Sequence, residues 1–168
     1  MHNRYTTTEN TMQRLAITRP LTALLAAATI TATLPAQAAE WVEIDASGVV
    51  DKETRYADYD SLQQHSFGYG SGNYYTIWLK TTYPKAQKLA DGKLYREAKS
   101  YYYIDCQNKR LISDAVHYYT STGNTVDSVS QYVSTSSSSN WSRAIPDSVG
   151  DGIVNSVCKL ANIKFGPL

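Results

Sequence analysis

The sequence predicts an α+β domain: an antiparallel sheet of about six strands with a C-terminal helix packed on one face. Three observations carry this. From Trp41 to Tyr132, short runs of β-branched and aromatic residues alternate with turn signals. One convincing helical repeat follows, close to the C-terminus. The chain has two cysteines: Cys106 ends a tyrosine-rich strand, and Cys158 lies inside that helix. If they pair, one bond ties the helix to the sheet.

The N-terminal segment is set apart from this domain. Arg14 and Arg19 precede an apolar run from Leu21 to Ile30, and Leu34-Pro35-Ala36-Gln37-Ala38 places small residues at both positions of an A-x-A cleavage site. A positive start, a short apolar centre and a small-residue exit make a secretory signal peptide. Residues 1–38 are therefore read as an N-terminal extension and signal, and 39–168 as one domain. The apolar run is shorter than the ~20 residues a membrane span requires, and no other stretch is long and apolar enough. No cysteine stands directly after the cleavage position, so a lipid anchor is not expected either, and the protein should be periplasmic or secreted. Arg4, Arg14, Arg19 and Glu9 leave with the signal, taking Lys plus Arg from 16 to 13 and Asp plus Glu from 15 to 14, a net charge of −1. That balance argues against nucleic acid as a partner.

Export sets the chemistry expected of the cysteines. In an oxidising compartment a structural disulfide is the default reading. The alternatives are a redox pair and a metal site. Both fit poorly, because there is no C-x-x-C and only His65 and His117 remain in the mature chain.

The elements follow in order. Trp41 to Ile44 alternates apolar and polar residues as a first strand, and Asp45-Ala46-Ser47-Gly48 turns. Arg55 to Tyr59 is a second short strand, and Ser66 to Asn73 is a glycine-rich loop. Tyr74 to Tyr83 is a long β-forming run that Pro84 closes. A lysine-rich connection leads to Asp91-Gly92, and Leu94 to Cys106 is the next strand. Within it Cys106 shares a face with Ile104, Tyr102, Ser100 and Ala98, while Asp105, Tyr103, Tyr101, Lys99 and Glu97 point the other way. The cysteine face is the less charged one and the one a helix could cover. Gln107-Asn108-Lys109 turns, Leu111 to Thr120 returns, and Gly123-Asn124 leads into Thr125 to Val133. Thr135 to Asn140 reads as an exposed serine-rich loop. Ser148, with Asp151 three residues on, resembles a capping box. From Asp147 to about Asn162 the helix carries Val149, Ile153, Val154, Val157 and Leu160 as one apolar stripe, with Cys158 at its edge.

These residues, taken in order, resemble a known family. Trp41, Tyr56-Ala57-Asp58-Tyr59-Asp60-Ser61-Leu62, Ile77-Trp78-Leu79-Lys80, Tyr103-Ile104-Asp105-Cys106, Trp141, Ile145-Pro146-Asp147-Ser148 and Val157-Cys158 together look like the surface-adhesin E-like domain of Gram-negative bacteria. The resemblance covers nearly all of the mature chain. It implies an antiparallel sheet with the C-terminal helix held on one face by the disulfide, and binding of host extracellular-matrix or plasma proteins without catalysis. The lipid anchor expected of a surface-displayed member is the point of departure. A periplasmic stress or inhibitor protein that binds a bacterial envelope partner is the alternative.

Catalytic signatures are weak. No G-x-S-x-G elbow occurs, and neither histidine is tied to a nucleophile by spacing. Gly68, Gly70 and Gly72 run into a strand and not into a helix, so they are not read as a phosphate loop. No catalytic residue, metal site or cofactor is implied. Thirteen of the 14 tyrosines lie in the mature domain and are more informative, since so many cannot all be hidden in one small core. Tyr101, Tyr103 and Tyr119, with Lys99, form a candidate binding face for a protein partner or for a second copy in a homodimer. Cross-strand aromatic pairs that merely stabilise the sheet explain the same residues equally well. Lys85, Lys88, Lys93 and Arg96 form a candidate basic patch, for which a solvated, aggregation-resistant hairpin is the simpler reading.

Overall fold

A computed structural model describes residues 39–44, 53–70 and 72–167. The expected signal peptide at 1–38 and the turn at Asp45-Ala46-Ser47-Gly48 lie outside these residues. The described chain forms one antiparallel sheet and one α-helix, with a short 3-10 turn at Gly68–Gly70. In chain order the strands are β1 (Trp41–Ile44), β2 (Thr54–Asp58), β3 (Gln63–Ser66), β4 (Asn73–Lys88), β5 (Leu94–Asp105), β6 (Arg110–Tyr119), β7 (Thr125–Ser130) and β8 (Ser142–Arg143), and the helix is α1 (Val149–Phe165). They pair in the order β1-β2-β4-β5-β6-β7, with β3 beside β4 and β8 beside β6.

Long β4 and β5 form the spine. Their register aligns Tyr75 with Ile104, Ile77 with Tyr102 and Leu79 with Ser100 on one face, and Thr76 with Tyr103, Trp78 with Tyr101 and Lys80 with Lys99 on the other. The first face carries the core. Ile44, Ala57, Leu62, Tyr75, Ile77, Leu79 and Ile104 pack there against Ile153, Val154, Val157 and Ala161 of the helix. The Cys106–Cys158 disulfide joins the same face to α1, with the two Cα atoms 5.7 Å apart. The predicted fold, the pairing and the face that the helix covers are all found.

Local outcomes differ in four places, each for a physical reason. Pro84 does not end its strand: β4 continues to Lys88 across a register shift between Thr82 and Gln87, where a residue without an N–H is tolerated. The polar run Gln63–Ser66, missed as a strand, pairs with the first half of β4. The helix begins after Asp147, whose φ of 59° is left-handed, and runs beyond Asn162 to Phe165, where Gly166 at φ 94° stops it. Ser148 caps it by accepting the Asp151 N–H at 3.3 Å, but the reciprocal arm of a capping box is absent; the Asp151 carboxylate instead meets Lys109 and Asn155.

The serine-rich segment is the fourth difference. It folds back over the sheet face that lacks the helix, so it is not a simple exposed loop. The Ser138 hydroxyl donates to the buried Asp105 carboxylate at 2.5 Å, and Asn108 donates to the same carboxylate from its backbone and its side chain. Arg110 Nη1 donates to the carbonyls of Ser138, Ser139 and Trp141. Thus anchored, the segment buries Trp141 against Phe67 and Tyr74 as a second, smaller core.

Candidate functional site

The rest of the face without the helix is built from rows of side chains that cross the strands. One row is set by the pairings Glu43–Tyr56, Tyr56–Lys80, Lys80–Lys99, Lys99–His117 and His117–Ser128. A second passes through Trp78, Tyr101 and Ala115, and a third through Thr76, Tyr103 and Ile112. Two lysines therefore stand directly opposite each other on the two central strands. Like charges at paired positions destabilise a sheet.

Aromatic rings hold the two ammonium groups. Lys80 Nζ lies 4.4 Å from the centroid of the Trp41 ring and 4.7 Å from that of Tyr56. Lys99 Nζ lies 4.9 Å from the Tyr119 ring and 6.0 Å from that of Trp41. These contacts are worth about 0.5–1 kcal/mol each at exposed sites. Glu97, two residues along β5, adds an ion pair to Lys99 at 3.4 Å. Among the described residues no carboxylate forms a salt bridge with Lys80.

The aromatic surface continues from this pair toward the serine-rich segment. Trp78 packs on Tyr101 at 5.1 Å and on His117 at 5.8 Å, and Tyr101 meets Tyr103 edge-on. Tyr103 then leans on Tyr74 and Trp141, and its hydroxyl donates to Asp114 at 3.1 Å. The four residues of the expected binding face thus share one face of the sheet. Lys99, Tyr101 and Tyr119 lie in or beside the lysine row, while Tyr103 borders the small core. Trp41, Tyr56, Trp78 and Lys80 belong to the same surface and were not singled out for it. Parity along β4 places Trp78 with Lys80, but the junction with Trp41 and Tyr56 depends on a strand order that the sequence does not display.

The expected basic patch lies elsewhere. Lys85, Lys88, Lys93 and Arg96 are exposed on the far part of the β4–β5 hairpin, away from the lysine row. Lys93 is paired with Asp91 at 2.8 Å and with Asp127 at 3.4 Å, and Arg96 donates to the Pro84 carbonyl at 2.8 Å. As for the histidines, His65 stacks on Tyr74 and its Nε2 shares a hydrogen bond with Thr76 Oγ1, while His117 packs on Trp78.

The family described as Surface-adhesin protein E matches residues 41–159 of the chain. The chain belongs to that family. No curated relative and no solved structure matches it. Membership makes this a surface-adhesin-like protein. The matched residues run from Trp41, at one end of the lysine row, to just past Cys158, so they take in the whole cation–aromatic surface and the disulfide. No helix of the described residues is long and apolar enough to cross a membrane.

Proposed function

We propose that this surface-adhesin family member is exported and binds host matrix or plasma proteins through the sheet face that carries Lys80 and Lys99. The observation that carries this reading is the direct opposition of the two lysines within a frame of Trp41, Tyr56 and Tyr119. A sheet selected for stability alone would not place like charges there. An acidic segment of a partner would relieve the repulsion, and the half-buried rings offer contact area at small entropic cost. Tyr101 and Trp78 extend that surface, and a second copy of the chain is a weaker match because it would bring the same charges.

The test measures binding of the whole chain to a panel of matrix and plasma proteins and, in parallel, to bacterial envelope extract. Replacing Lys80 and Lys99 together by alanine should weaken binding to the recognised host protein at least tenfold, more so at low salt, while the circular-dichroism spectrum shows the fold retained. Undiminished binding by the double variant removes this face from the mechanism. Binding confined to an envelope partner favours the stress or inhibitor reading over adhesion.

A further inference from the structure

On the opposite, helix-bearing side, a polar cavity of about 260 Å³ lies beside the first turns of α1. It exists because the sheet beneath it carries small side chains. Thr81, Ala98 and Ser100 sit at neighbouring positions of β4 and β5, where larger residues would fill the space. Tyr83, Tyr95, Tyr102 and Tyr118 wall it, and Val149 and Ile153 close the helix side. Tyr95 meets Tyr83 and Tyr118 edge-on at 5.5 and 4.7 Å.

Arg55 of β2 enters the lining of this cavity from the position paired with Thr81. It is 8% exposed, in a row where an apolar residue would suit the core better. Its Nη2 pairs with Glu53, yet its Nη1 is buried and has no hydrogen-bond partner. An unmade hydrogen bond from a buried charged donor is costly. The Arg55 charge is also felt by Tyr83 and Tyr102, two of the phenols that wall the cavity. A guanidinium with one nitrogen unpaired, in the lining of an aromatic-walled space, has the chemistry to recognise an acceptor group.

We infer that this cavity is a binding site for a small monocarboxylate with a flat apolar body, its carboxylate at the Arg55 guanidinium and its body among Tyr83, Tyr95 and Tyr118. The unpaired Nη1 asks for an acceptor, and among anionic acceptors the charge count favours a single charge over two. Glu53 already balances Arg55, so a dianion such as a phosphate monoester would leave two uncompensated negative charges in a partly buried site. The size is suitable, since a cavity of about 150 Å³ is known to hold benzene. The site is independent of the lysine row, which lies across the sheet.

Benzoate is the probe, titrated into the whole chain while the ring resonances of the cavity tyrosines are followed by NMR. Saturable shifts are expected, with benzamide and phenyl phosphate binding at least tenfold more weakly. Two variants separate recognition from folding. Glu53→Gln with Arg55→Met removes both charges together, so no buried ion is left alone, and Ala98→Leu fills the floor while leaving both ions in place. Each should cut benzoate binding at least tenfold without lowering the melting temperature appreciably. Absence of saturable shifts in the unaltered chain would overturn the inference. Benzamide binding as tightly as benzoate, phenyl phosphate binding more tightly, or undiminished binding by both variants would do the same.

Discussion

For individual tyrosines, burial more than neighbouring charge sets the acidity. Burial, reinforced by the adjacent Tyr95, pushes the Tyr83 phenol up to about 12, although the Arg55 charge pulls the other way. Burial followed by the hydrogen bond to Asp114 does the same for Tyr103, also to about 12. In the unfolded chain both ionise near ~10. A folded-state pKa above the unfolded one means that the folded chain keeps its proton longer. The resulting stabilisation is complete below ~10 and is lost as pH rises toward ~12. Ultraviolet titration of the folded protein should therefore show late-ionising tyrosines, with urea stability declining over the same window. Tyr103→Phe should remove one of them and reduce the decline. Tyrosines that all ionise together near ~10 before unfolding would contradict this. The positions of Tyr101, Tyr103 and Lys99 on one face were legible from parity alone. Those in β6 were less so, because Asp114 is an extra residue in the ladder between Ser113, opposite Tyr102, and Ala115, opposite Tyr101. Beyond that bulge the alternation is inverted, which puts Tyr118 on the helix side with Leu111 and Tyr119 over Lys99.

Among the elements, those that bury apolar side chains at a regular spacing were legible. The stripe of α1 buries Ile153, Val154 and Val157 as its spacing requires. Elements held mainly by backbone pairing were not. Gln63–Ser66 carries no apolar pattern, and only its place beside Tyr74, Tyr75 and Thr76 makes it a strand. The serine-rich segment has the composition of a solvent loop, and its anchors, Asp105 and Arg110, are remote in sequence. The helix offers the cleanest test at this scale. Its two glycines, Gly150 and Gly152, fall in the first turn and leave the start of the helix weaker than alanine would. The cap at Ser148 thus supports a weak start, and Ser148→Ala should cost about 1 kcal/mol in chemical denaturation. An unaltered midpoint would mean that the first turn is held by Leu111 and Lys109 alone.

For the whole molecule, the helix is fastened beyond its first turn at two further points. The disulfide holds its middle, and Lys164 near its end donates to the carbonyls of Tyr59 and Leu62 at 2.8 and 3.0 Å. The disulfide closes a loop with a sequence separation of 52, worth about 4 kcal/mol in the chain-entropy model. Cys106→Ser should lower stability by about that amount and loosen α1, yet leave binding through the lysine row intact where the protein remains folded. Loss of binding without loss of stability would place the working surface on the helix side instead.

The order of the chain gives that disulfide a further meaning. All of the sheet precedes Cys158, so a chain made from its N-terminus holds every strand before the residue that completes the join is present. Until then Ile77, Leu79 and Ile104 have no helix above them, and the Cys106 thiol is without its intended mate. The closing bond is therefore late by the order of the chain: with two cysteines there is one intramolecular pairing to make, and making it fixes the helix over a face that until then is uncovered.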